Sequence, residues 1–87
     1  MGYRPPTARV LAERATVGAN LRRVRERAGL TRGHLSARAY LAGHESLYEQ
    51  AIGRIERGER DLALREAVAL ADILAAPLEV LTEGLER

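Results

Sequence analysis

Three glycines, Gly29, Gly43 and Gly58, each close a stretch whose apolar residues recur at helical spacing, and this punctuation constrains the 87-residue chain more than anything else in it. Glycine enters the left-handed conformation that ends a helix at little steric cost, so the pattern predicts a string of short helices and no strands. Val10, Val17, Leu21, Val24 and Ala28 predict a first helix from about Thr16 to Ala28, with a start as early as Thr7 and a weak point at Gly18. Thr31 suits the N-cap of a second helix that buries Leu35, Ala39 and Ala42 and is capped C-terminally by Gly43. Ser46-Leu47-Tyr48-Glu49 has the Ser-x-x-Glu form of a capping box, and Ile52 and Ile55 then form the apolar stripe of a third helix ending at Gly58. Asp61 can cap a fourth helix with the stripe Leu64, Ala67, Val68, Ala71 and Leu74, and Pro77 suits the first turn of a short fifth carrying Leu78 and Leu81.

The apolar set is almost entirely Leu, Ile, Val and Ala, without Phe, Trp or Cys, so one small domain must hold together by aliphatic contacts alone. No run approaches the ~18 apolar residues of a membrane span, and Met1 to Pro6 lacks the apolar core of a signal peptide, so a cytoplasmic protein is expected. Pro5-Pro6 marks an extended arm, and the chain divides into an N-terminal arm or helical extension (1–15) and a helical domain (16–87).

Net charge is only +2, but residues 1–65 hold 13 Arg against 7 acids, while residues 66–87 hold 1 Arg against 5 acids. The basic part should face a polyanion. All the basic residues apart from two histidines are arginine, which offers bidentate forks to phosphate or guanine; codon bias or thermal adaptation explains the missing lysines equally well.

The ordered set Val17-Gly18, Leu21, Val24-Arg25, Ala28-Gly29-Leu30-Thr31, Leu35, Ile52, Arg54-Ile55-Glu56-Arg57-Gly58, Leu64, Leu70-Ala71, Leu74, Leu78 and Leu81 resembles the lambda-repressor-like (Xre/Cro) helix-turn-helix family of bacterial and phage DNA-binding proteins. The resemblance covers roughly residues 17–82 and implies an all-α, compact five-helix DNA-binding domain whose third helix, about 47–57, lies in the major groove. It departs from the family between Tyr40 and Tyr48, about six residues longer than the usual turn, read as a further turn on the second helix plus a longer loop. Tyr40 and Tyr48 bracket this expanded turn and can pack it down or touch the sugar-phosphate backbone.

Carried over position by position, the resemblance assigns base reading to Glu49, Gln50 and Arg54, with Gly53 leaving a gap beside them. Arg54 can donate twice to guanine, and Gln50 can both donate to and accept from adenine. Glu49 can accept from cytosine, but capping with Ser46 is the stronger reading. Arg32 matches a backbone-contact position, Arg57 and Arg60 flank the end of the third helix, and Tyr48 is a further backbone candidate; solvated surface charge is an even alternative for each arginine. The family pairs arginine and glutamate at the positions of Arg25 and Glu56 as a structural ion pair.

His34 and His44 stand ten residues apart without cysteine or an acid cluster, so neither a metal nor another cofactor is expected. Ser36, Ser46 and these histidines form no recognisable nucleophile and base, and no enzyme is expected. The reading is a sequence-specific double-stranded DNA-binding regulator, most simply a repressor, acting as a homodimer through Leu78, Val80, Leu81 and Leu85 or through Val10 and Leu11, unless Leu78 and Leu81 complete the core. The alternative is a protein-interaction module on the same fold, antitoxin-like or an adaptor.

Overall fold

A computed structural model describes residues 2–85, and within them the chain forms four α-helices and one 3₁₀ segment: α1 (Ala8–Arg27), α2 (Arg32–Leu41), α3 (Glu49–Glu56), α4 (Leu64–Ile73) and the 3₁₀ turn Leu78–Thr82. The all-α class expected from the glycine punctuation holds, and the fifth α-helix does not. Pro77 is extended at ψ 144° and precedes the turn instead of opening a helix, and only five residues follow before Glu83 leaves helical geometry. No helix among the described residues is long and apolar enough to cross a membrane.

The first helix takes the earliest of its possible starts. Thr7 caps it, accepting from the Val10 amide at 3.2 Å, so residues 8–15 extend the same helix and the 1–15 extension is helical from Ala8. Gly18 does not interrupt it, because that glycine is a contact point. A Cβ there would collide with the Ile55 and Glu56 carbonyl oxygens of α3, the latter at 2.7 Å, so its missing side chain lets the two helices touch backbone to backbone.

Leu21 and Val24 of α1, Leu35 and Ala39 of α2, Ile52 and Ile55 of α3, Ala67, Leu70, Ala71 and Leu74 of α4, and Leu81 form one core. Buried Asn20 ties the chain's end to it, donating through Nδ2 to the carbonyls of Leu81 (3.0 Å) and Glu83 (2.9 Å). Ala28 and Ala42, expected on buried faces, are exposed at the C-caps of their helices.

The expanded turn is ordered by three devices. Gly43, at φ +92°, takes the left-handed position, and the His44 amide donates back to the Ala39 carbonyl at 2.9 Å, so α2 stops where the glycine predicts. Leu47 then plunges into the core, with Ile52 five residues on in the same cluster, as in the hydrophobic staple that fixes how a chain approaches a helix. The capping box expected here is absent: Tyr48 occupies the N-cap position without a side-chain bond, and Ser46 Oγ donates 2.6 Å to Glu66 Oε2 instead.

Glu66 gathers the third device. Arg60 donates to both its carboxylate oxygens at 3.1 and 3.0 Å, and Glu66 Oε1 accepts from the Ala63 amide at 2.9 Å. Glu66 therefore caps α4 from inside, while Asp61, expected in that role, pairs with Arg14 at 2.8 Å. Drawing Glu66 inward also sets the roll of α4. Its buried face runs through Glu66, Ala67, Leu70, Ala71 and Leu74, leaving Leu64 and Val68, expected in the core, 74% and 50% exposed.

Burial opposes ionisation of Glu66, but Arg60, Ser46 and the Ala63 amide outweigh it and bring the carboxyl down to about 2 from an ordinary 4.5. A carboxyl depressed by folding adds stability that is fully present above its unfolded value and is lost as pH falls toward its folded value. Chemical denaturation of the wild type should thus show on the order of 3 kcal/mol lost through this group between about pH 5 and pH 2. Glu66→Gln should be less stable at neutral pH and lack that part of the acid dependence; parallel pH profiles for the two proteins would contradict the assignment.

A second outcome concerns Gly18. Alanine is the better helix former by about 1 kcal/mol, yet Gly18→Ala should destabilise the domain by about 1–3 kcal/mol, because the contact with α3 must open. A urea titration reads the sign directly.

Candidate nucleic-acid interface

The short helix α3 is two-faced. Ala51, Ile52, Ile55 and Glu56 are buried against α1 and α2, so Glu49, Gln50, Arg54 and Arg57 are left outward. The outward face forms one wall of a shallow groove lined by Arg32, Glu49, Gln50, Gly53, Arg54 and Arg57. Gly53 is its floor: a Cβ there would lie 3.1 Å from Arg57 Nη1 and 3.8 Å from Arg32 Cδ, so the absent side chain leaves room for the Arg57 guanidinium and the Arg32 stem beside it. Three arginines thus converge on one surface with a single carboxylate, that of Glu49.

Each of these side chains is held differently. Arg54 Nη2 donates 2.8 Å to the Tyr48 hydroxyl, which holds the guanidinium over the first turn of its own helix. Arg57 pairs with Glu59 at 3.1 Å, both largely exposed, a contact that solvent and salt weaken. Glu49 does not reach Ser46; its carboxylate lies toward Gly33, where a Cβ would meet Oε2 at 3.5 Å. Gln50 projects from the exposed face.

Arg32 performs two tasks. Its Nε donates 2.9 Å to Glu56 Oε1, yet its side chain remains 37% exposed on the groove. The Glu56 side chain is 1% exposed and also receives Arg25, with Nε to Oε2 at 2.6 Å and Nη2 to Oε1 at 3.0 Å. The remaining Arg25 donor reaches the Leu30 carbonyl at 2.8 Å. The pair joins α1 to the end of α3, and Arg32 adds the first turn of α2. Burial pushes the Glu56 carboxyl up, but hydrogen bonds from the two guanidinium groups reverse this and hold it below the ordinary carboxylate range. The triad carries two positive charges against one negative, so its exposed member presents net positive charge to the groove.

No protein-family model, curated protein or solved structure matches this chain.

Of the residues singled out in the sequence, the groove brings together Arg32, Glu49, Gln50, Arg54 and Arg57, with Tyr48 behind Arg54. Arg60 stands apart, its fork turned to Glu66 and its remaining reach spent on the Asp61 and Ser46 carbonyls. Tyr40 does not pack the turn down; it is 63% exposed, and Leu47 fills that place. Sequence reasoning missed Arg32 as a partner of Glu56, and no local signal reveals it, since the two lie 24 residues apart.

Glu56→Gln should cost about 3–5 kcal/mol, because it strands the buried Arg25 guanidinium and removes the charge that Arg32 also pairs with. Thermal or denaturant unfolding at neutral pH checks this, and an unchanged midpoint would show that the triad does not hold the helices together.

Proposed function

We propose that this chain is a sequence-specific double-stranded DNA-binding transcriptional regulator of the helix-turn-helix kind, in its simplest form a repressor, which lays α3 in the major groove and acts as a homodimer. The observation that carries the proposal is the groove of Arg32, Gln50, Arg54 and Arg57 along the solvent side of a helix whose other side is anchored by Ile52, Ile55 and Glu56. A rigid helix with polar forks on its free face is what edge-on reading of base pairs requires.

Within that reading the roles divide. Arg54, steadied by Tyr48, and Gln50 address base edges, guanine and adenine respectively. Arg57 and Arg32 address phosphates on either side of the groove, and the bond from Arg32 to Glu56 fixes its direction before any DNA arrives. Glu49 repels phosphate and tolerates a cytosine amino group, so it selects against misplacement as much as for a base. Arg60 supports the expanded turn and is left out of the phosphate set.

Selection from a random duplex pool, followed by affinity measurements over a salt series, tests the proposal. A related set of bound sites is expected, with affinity falling steeply as salt rises and counterions are released. Arg54→Ala should cost about 1–3 kcal/mol on the preferred site and flatten the preference at one base pair. Arg57→Ala should weaken all duplexes alike and reduce the salt slope by about 0.9. Enrichment of no duplex would remove the DNA reading and favour a protein-interaction module built on the same helices.

A further inference from the structure

The outward side of α4 carries a pattern that complements itself. Leu64 and Val68 are exposed there, and with His44, Arg65, Ala69 and Asp72 they line an open, mainly apolar depression. Arg65 and Asp72 are seven residues apart, two helical turns or roughly 10 Å, and so project from one stripe with opposite charges at its two ends. Among the described residues neither has an ion-pair partner, although the chain pairs arginine with an acid at eight other places. Val68 and the small Ala69 lie between them.

Reversing this stripe end to end reproduces its complement. In an antiparallel crossing, Arg65 meets the partner's Asp72, Asp72 meets the partner's Arg65, and Val68 faces the partner's Ala69 at the centre, where small side chains let helix axes come within about 8–10 Å. We propose that the chain pairs with a second copy of itself through this face, about a two-fold axis passing between Val68 and Ala69. A second copy supplies both halves of the charge match with no further requirement, whereas an unrelated partner would have to carry the same reversed spacing independently. The surface shares no residue with the α3 groove; the homodimer itself belongs to the proposed function, and what is added here is the face that forms it, which can be tested without DNA.

Of the aliphatics named in the sequence as interface candidates, Leu81 lies in the core and Leu78 and Val80 pack against it, whereas Leu11 is 46% exposed. A single helix face covers less than the roughly 1,200 Å² typical of stable assemblies, so the association is weak and depends on concentration.

Sedimentation equilibrium of the full chain without DNA, from about 10 μM to 1 mM, tests this. A reversible monomer–dimer equilibrium is expected. Arg65→Asp should weaken it about tenfold or more by setting like charges opposite each other at both ends, and the double exchange Arg65→Asp with Asp72→Arg should restore it. Both positions are solvent-facing, and circular dichroism of each variant confirms that the helices persist. A wild type that stays monomeric throughout, a dimer indifferent to Arg65→Asp, or a folded double variant that remains monomeric would each overturn the proposal.

Discussion

The Glu56 carboxylate is the point on which the rest of the molecule depends. It lies at the end of the shortest α-helix, and an eight-residue helix does not persist alone in water. Two guanidinium groups reach it from α1 and from the first turn of α2, so three helices meet at one buried charge. Gly18 makes the same junction possible sterically, since only a bare Cα allows α1 to touch the carbonyls of Ile55 and Glu56. Burying a carboxylate this deeply is unfavourable unless its oxygens are filled, and here both are. Removing the charge therefore harms more than forming the pair helps.

Glu66 repeats the solution on the other side of the domain. It accepts from Arg60, Ser46 and the Ala63 amide, tying the expanded turn, the loop after α3 and the start of α4 to one group. With Leu47 wedged in the core, this anchoring makes the longer connection between α2 and α3 a shaped segment instead of a slack one. The orientation of α3 is thus fixed at both ends, by Leu47 at its start and by Glu56 at its close.

Features decided locally could be read from the sequence, and features decided by distant partners could not. Gly29, Gly43 and Gly58 all adopt positive φ where helices stop, and Thr31 caps α2 through the His34 amide, because a cap and its helix are neighbours in the chain. Ser46 and Asp61 have equally good capping patterns, yet Glu66 takes the first and Arg14 the second, 20 and 47 residues away. The same competition rolled α4 about its axis, so a stripe of ideal spacing lost Leu64 and Val68 to solvent and took in Glu66. A lone acid among Ala67, Leu70 and Leu74 was the available signal, since such a residue on an apolar face must bring a partner with it. At the candidate interface, the residues of α3 fell together because one helix face carries them; Arg32 joined them from another helix, and Arg60 left them for Glu66.

One consequence of that roll joins the two surfaces of the molecule. Had α4 buried the stripe its spacing suggests, Glu66 would have faced water, Ser46 and Arg60 would have lost their common acceptor, and the turn leading to α3 would have been unanchored. Turning Glu66 inward secures the turn and at the same time places Leu64, Val68, Arg65 and Asp72 outside. The exposed apolar pair on α4 is then the direct counterpart of a well-held α3: the buried carboxylate that shapes the approach to one surface leaves the other uncovered, and a domain with so small an aliphatic core gains by covering it.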